Sequence, residues 1–368
     1  MQPLGFEKEL ANRRVFVTGH SGFTGSWLCF WLQMLNAKVF GYSLAPTENQ
    51  PLSHLLGLDS SVDGIYADIM DFDALADAMA AFRPEVVIHL AAQPLVRRSY
   101  REPRETFAVN ALGTANVLEA ARSTGGVKGI VCITTDKVYE NREWNWAYRE
   151  NDPLGGKDPY SASKAAAELI IKSYASSFPP SSGAPAIATA RGGNIVGGGD
   201  WSEDRLIPDF VRAVFTDVPL TLRFPDATRP WQHVLALAQG YLMLSSGLLS
   251  ERSAHFARAW NLGPQELGEY SVRQVMEMLS AHWRRPQLEY LENPLAEAGS
   301  LALDSRLAHN QLGWRSVWSV EQTVRRTAEW YRAYEEKTRV GDLHPGCMAA
   351  FTRLQVDEWR SGIGMTER

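Results

Sequence analysis

The sequence predicts an α/β protein: a doubly wound parallel sheet joined to a smaller, mixed α/β lobe. Three observations predict it. Short β-branched runs alternate with helically spaced apolar residues through the first half, a glycine-rich turn follows the first run, and glycine and proline punctuate the chain after Arg191. In order, strands are expected at Arg14–Thr18, Lys38–Tyr42, Gly64–Ala67, Val86–Leu90, Ile130–Thr134 and Ile187–Arg191, and helices at Gly25–Leu35, Asp71–Phe82, Glu105–Ser123 and Tyr160–Ser177. Strands that alternate with helices imply right-handed crossovers and a sheet covered on both faces. The run Glu85–Leu90 is nearly all apolar, as a strand buried on both sides must be. Beyond Arg191, Pro208, Pro219, Pro225 and Pro230 interrupt the chain, and helical spacing returns at Ile207–Phe215, His233–Leu249, Val272–His282 and Val320–Lys337. The expected division is residues 1–191, with about 230–263 returning to the sheet near Ala259–Leu262, against 192–229 and 264–368. From about Gly341 no strong pattern remains, so a clasp or a loose tail is expected.

Composition narrows the class. The chain has 368 residues, 45% apolar and 21% charged, with a net charge of −5, so no general nucleic-acid surface is expected. No apolar run is long enough to span a bilayer, and none precedes a cleavage-type site near residue 1, so a cytoplasmic protein with no membrane partner is expected. Cys29, Cys132 and Cys347 are few and far apart, which suits reduced thiols and argues against a disulfide framework or a metal site. The 12 tryptophans tilt weakly toward a cleft that holds something flat.

The turn Gly19-His-Ser-Gly22-Phe-Thr-Gly25 lies between the first strand and the first helix. One glycine allows the tight turn, one lets a pyrophosphate approach the backbone, and one lets the helix pack closely on the strand; the phosphates then face the positive helix end. This context makes the sheet Rossmann-type and the ligand a dinucleotide. Candidate contacts are Gly19, Ser21, Gly22, Phe23, Thr24 and Gly25 in the turn, Ile69 after the third strand, Leu90, Ala91 and Ala92 after the fourth, and Thr134 after the fifth. The second strand ends Gly41-Tyr-Ser-Leu44, with neither the acid that would select NAD nor an arginine for NADP. Asp68 is either an adenine contact or a helix N-terminal acid beside Asp71.

Tyr160 and Lys164 open a helix at positions i and i+4, so hydroxyl and ammonium share one face. A lysine there lowers the phenol's pKa and holds a nicotinamide ribose, leaving the tyrosine as a base for a hydroxyl proton. The fifth strand runs into Thr134-Thr135-Asp136-Lys137, at the strand end where ligands of such sheets bind. A simple oxidoreductase needs one hydroxyl there. An added acid and amine suit a reaction that moves further protons, such as loss of water; a surface Asp–Lys turn is the plainer alternative.

With these motifs, the chain resembles the extended short-chain dehydrogenase/reductases and, among them, the bacterial CDP-glucose 4,6-dehydratases. The segments carrying the likeness are His89–Tyr100, Thr134–Asn141, Gly155–Tyr160, Gly193–Trp201, Asp204–Asp209 and Arg229–Val234. The resemblance implies NAD and a nucleotide-sugar substrate, CDP-glucose, converted to its 4-keto-6-deoxy product. In it Tyr160 takes the C4 hydroxyl proton, Thr135 binds the C4 oxygen, Asp136 is the acid for the C6 hydroxyl and Lys137 stands where the C5 base belongs. Related dehydratases acting on dTDP-glucose carry Asp-Glu at that pair. Asn194, Arg205 and Arg229 match positions that hold the substrate diphosphate, and Gln93 is a further substrate candidate. Thr24 stands where the family often has lysine, and Val138 where it often has cysteine. A 4-epimerase on the same fold, which needs no second acid–base pair, and a non-enzymatic dinucleotide sensor, which would lack the Tyr–Lys pair, are the competing readings. Surplus apolar faces on Glu105–Ser123 and Tyr160–Ser177 predict a homodimer at least, paired through a four-helix bundle; coverage of those faces by the second lobe is the alternative.

Overall fold

The computed structural model describes residues 4–46, 51–264, 270–290 and 301–366. Its centre is a seven-stranded parallel sheet: β1 (Arg14–Thr18), β2 (Lys38–Ser43), β3 (Asp63–Tyr66), β4 (Val86–His89), β5 (Gly129–Ile133), β6 (Ala186–Gly192) and β7 (Ala259–Leu262). The spatial order is β7-β6-β5-β4-β1-β2-β3. The order reverses between β1 and β4, where the chain runs away in opposite directions and opens a crevice at the strands' carboxyl ends. β7 closes the far edge by pairing Ala259 with Thr189 and Leu262 with Gly192, so the chain does return to the sheet there.

Side chains alternate faithfully into two layers. Val15, Val17, Val86, Ile88, Val131 and Ala188 face one core with α1 (Phe23–Met34) and, later in the chain, the apolar helix Val234–Leu249. Phe16, Val87, Ile130, Cys132 and Ile187 face the other, with α2 (Phe72–Phe82), α3 (Gly113–Thr124) and α4 (Pro159–Ser177). A period of two explains why these strands look uniformly apolar: both faces are covered. The later helices are α5 (Leu206–Thr216), α6 (Val234–Leu249), α7 (Val272–His282), α8 (Val320–Arg339) and α9 (Ala349–Thr366).

Three sequence expectations are refined. The helix expected over Glu105–Ser123 is present but widens midway: Pro103–Phe107 runs into α3 through a π-helical turn at Ala108–Leu112. The extra room lets Asn110 accept from the Gln93 backbone at 2.9 Å and donate to Ser163 at 2.9 Å. Such a bulge is invisible to a fixed helical period. The tail from Gly341 is neither loose nor patternless, because α9 buries Val356, Trp359 and Ile363 against the main core. Its anchor is Arg360, which grips Glu7 through two bonds of 2.7 and 2.9 Å; Glu7 is 0% exposed and Arg360 10%. Removing one partner strands a buried charge, so Arg360→Ala is expected to cost about 3–5 kcal/mol, read from urea unfolding. The tryptophans also differ from expectation. Trp27, Trp31, Trp260, Trp314, Trp330 and Trp359 are wholly buried in the core, and only Trp231 of the twelve borders the main cavity among the described residues. Cys29, Cys132 and Cys347 are buried free thiols.

Candidate active site

A cavity of about 730 Å³ lies across the carboxyl ends of the strands, the size of a small-molecule site. Its first wall is the glycine turn. Gly19 takes φ +74°, and a Cβ there would stand 2.8 Å from the Ala91 nitrogen; one on Gly25 would stand 2.0 Å from the Gly19 carbonyl. Gly22 caps α1 without a side-chain hydrogen bond, leaving the helix N-terminus open to the cavity. A bare, Cβ-free cradle over a positive helix end fits a dinucleotide pyrophosphate. Ser21, Phe23 and Thr24 border the same space, with Ile69, Leu90, Ala91, Ala92 and Thr134. At the end of β2, Ser43 bonds Ser21 at 2.8 Å, and none of the described residues 43–46 that follow is a carboxylate. Asp68 stands at the rim and accepts from Met70 N at 3.0 Å, whereas Asp71 performs the capping of α2 by accepting from Ala74 N at 3.1 Å. The capping task therefore belongs to Asp71.

The opposite end holds the acid–base residues. Asp158 caps α4 through Ser161 N at 3.0 Å, which fixes the first turn and points Tyr160 and Lys164 into the cavity. Thr135 donates to Asp136 Oδ1 at 2.9 Å, and the Thr135 hydroxyl accepts from Lys137 N at 3.3 Å. Asp136 is buried, Lys137 half-buried, and both border the cavity. Gly193 packs on this acid: a Cβ there would lie 2.7 Å from Asp136 Oδ2. Burial raises the Asp136 carboxyl above its ordinary range against the opposing charges of Lys137 and Arg229, favouring the protonated form.

Burial likewise pushes Tyr160 up to about 12; the Thr135 hydroxyl and the Arg205 charge pull the other way. Lys164 is lowered to about 8 by burial, with Cys132 and Glu168 opposing. Its Nζ donates to the Ile133 carbonyl at 3.3 Å. Below it, Glu168 accepts from Thr134 at 2.6 Å, Thr189 at 3.2 Å and Arg191 at 2.9 and 2.8 Å. The side chain of Thr134 is thus spent on this network, while the residue still borders the cavity. His89 sits between Thr18 and Thr114 at 2.7 and 3.1 Å, and burial followed by the charge of Lys164 lowers it to about 3, which keeps it neutral.

The remaining wall carries the polar candidates. Asn194, Arg205 and Arg229 all border the cavity. Arg205 precedes α5 and pairs with Asp200 at 3.1 Å; Arg229 donates to the Thr228 carbonyl at 2.9 Å. Gln93 borders the cavity too, but its amide is committed to the fold: Nε2 donates to Thr106 at 2.8 Å and Oε1 accepts from Leu95 N at 2.6 Å. The sequence reading missed Arg97 and Arg223, which pair with Asp204 at 3.4 and 2.6 Å on this wall. It also missed Glu168 and Tyr241. A carboxylate four residues past Lys164 on the same face was the available signal for Glu168; Tyr241 gave none. Among the described residues no three His, Cys, Asp or Glu side chains gather as a metal site.

Comparison with known proteins agrees with this geometry. The CDP-glucose 4,6-dehydratase of Salmonella typhimurium is 42% identical over 328 residues, 88% of this chain and 91% of that protein. The UDP-glucose 4-epimerase of Thermus thermophilus, solved in complex with NAD, is 26% identical with a TM-score of 0.74, covering 87% of this chain and 99% of that one. A dTDP-glucose 4,6-dehydratase of Streptomyces venezuelae, solved with NAD bound, shares the fold at 24% identity and a TM-score of 0.74, covering 89% and 98%. The sequence pattern of the GDP-mannose 4,6 dehydratase family matches residues 16–327. A match spanning the first strand of the sheet to α8, together with 42% identity over most of the length, means that this chain belongs to that family.

Proposed function

We propose that the protein is an NAD-dependent hydro-lyase that converts CDP-glucose to CDP-4-keto-6-deoxyglucose and water. The observation that carries this reading is the buried Asp136 against Gly193, beside Thr135 and in the same cavity as Tyr160. A 4-epimerase has no use for a second proton donor here, and a sensor has none for Tyr160. CDP-glucose is the substrate of choice because the 42%-identical relative bears that name.

Tyr160 accepts the C4 hydroxyl proton, with the Thr135 hydroxyl holding the C4 oxygen. NAD, held by the glycine turn and Lys164, would supply the hydride chemistry that links C4 and C6. The C4 ketone acidifies C5, whose proton passes to Lys137, and a proton returns to C5 once C6 has received hydride. Asp136, whose pKa burial raises, delivers a proton to the C6 hydroxyl as water leaves. Arg205, Arg229 and Asn194 hold the diphosphate, arginine forks being suited to its oxygens. Lys164 holds the nicotinamide ribose, and the open turn Gly19–Gly25 the pyrophosphate. In this reading residues 1–191 with about 230–263 form the dinucleotide lobe, and 192–229 with 264–368 the substrate lobe.

The test follows the label. Substrate deuterated at C4 is expected to give product deuterated at C6 in ordinary water, and unlabelled substrate in heavy water to gain solvent deuterium at C5. Deuterium returning to C4, or a product that has kept its water, overturns the dehydratase reading.

The reading includes a cytoplasmic homodimer. Phe107, Leu112 and Leu169 are large apolar residues 39%, 53% and 59% exposed, before α3 and on α4. Pairing these faces across a two-fold buries them in a four-helix bundle. Light scattering at micromolar concentration is expected to give twice the monomer mass; a monomer overturns the dimer.

A further inference from the structure

One residue of the cavity wall carries a hydroxyl that no described residue engages. Tyr241 lies on α6, its side chain 0% exposed, and it borders the cavity that holds Thr135, Tyr160 and Lys164. Its hydroxyl has no hydrogen-bond partner among the described residues. Leu237, Ala238, Leu242 and Leu244 on the same helix are buried apolar residues. Phenylalanine would fill the same volume without leaving a hydroxyl unsatisfied, and a buried hydroxyl that makes no bond lowers stability. The oxygen also lies near enough to Tyr160 for the two phenols to interact electrostatically. Burial, and then Tyr160, raises its pKa, so it stays protonated and can donate.

We propose that Tyr241 is a ligand-binding residue whose hydroxyl donates a hydrogen bond to an uncharged oxygen of whatever occupies the Tyr160 end of the cavity. Two bound molecules can present such an oxygen there, the dinucleotide through its nicotinamide carboxamide and the substrate through a hexose hydroxyl. The inference deepens the dehydratase reading and rests on it only for the identity of the sugar. The hydroxyl is unsatisfied in the empty protein and satisfied in the filled one, so stability and affinity should respond to its loss in opposite directions.

Tyr241→Phe separates the outcomes. Without ligand, the variant is expected to melt at the wild-type temperature or above it, because no bond is lost and an unsatisfied group is removed. Calorimetric titration with NAD+ alone forms one arm. Titration of the NAD+-loaded protein with CDP-glucose, in the Tyr160→Phe background to stop turnover, forms the other. A loss of about 2- to 12-fold in affinity, the worth of one neutral hydrogen bond, is expected in one arm. Loss in the first arm assigns the contact to the carboxamide; loss confined to the second assigns it to the hexose. Unchanged affinity in both arms, or a lower melting temperature without ligand, overturns the proposal, the latter because it would show the hydroxyl bonded within the fold. The NAD+ arm stands even if CDP-glucose is not turned over, so failure of the substrate assignment and failure of this inference can be told apart.

Discussion

Tyr160→Phe is expected to lower kcat about a thousandfold while leaving NAD+ affinity within twofold of wild type, a general base being worth about 10²–10⁴. The substitution removes one oxygen. The ring is only 8% exposed and is held by α4, whose first turn is fixed by Asp158, so the packing survives. What disappears is the acceptor for the C4 proton, with Thr135 left to hold the substrate oxygen alone. The pH profile adds a second check. Burial sets Tyr160 at about 12 in the empty site, so the rate is expected to rise with pH through the neutral range as more phenolate forms. Burial sets Lys164 at about 8, so its positive charge is present below that pH and lost above it, and the rise is expected to turn over there. The residual activity of Tyr160→Phe should lack the rising limb. Retention of more than a few percent of the wild-type rate, equivalent to less than about 2 kcal/mol of lost catalysis, would show that another group takes the proton.

The parts of this molecule that a sequence can show are those written locally. β1, β4 and β5 are short apolar runs, and the glycine turn, Tyr160 with Lys164 and Asp136 with Lys137 each occupy a handful of consecutive positions. The structure brings these separate signals to one cavity across the carboxyl ends of the strands. The missed parts depend on partners far away in the chain. α9 carries charged positions such as Arg353, Asp357 and Glu358 that dilute its apolar stripe, and the residue that fixes it, Glu7, is 353 positions from Arg360. Gln93 reads as a substrate residue from its place after β4, yet its amide meets Thr106 and Leu95 because the wide turn at Ala108–Leu112 brings that segment alongside. Tyr241 sits in a run of core residues and reads as one of them; only its position against the cavity sets its hydroxyl apart.

Asp136→Asn is expected to slow product formation by about 10²–10³, the loss of a positioned general acid, while sparing the steps before it. The carboxyl lies 3% exposed between Thr135, which donates to Oδ1 at 2.9 Å, and Gly193, which leaves room for Oδ2. An asparagine has the same shape and still accepts from Thr135, so the cavity keeps its form. The amide, however, has no proton to give to a departing hydroxyl, and hydroxide leaves far less readily than water. C4 oxidation depends on Tyr160, and release of the C5 proton depends on the ketone and Lys137, so both should continue in the variant. The blocked intermediate then returns to substrate. In heavy water the recovered substrate should therefore carry deuterium at C5, accumulating faster than product forms, whereas the wild-type enzyme commits most turnovers to product first. Loss of product formation without C5 exchange would place Asp136 at the C4 or C5 step and remove it as the C6 acid. Unimpaired product formation would return the Asp136-Lys137 pair to an ordinary turn and withdraw the observation on which the dehydratase reading rests.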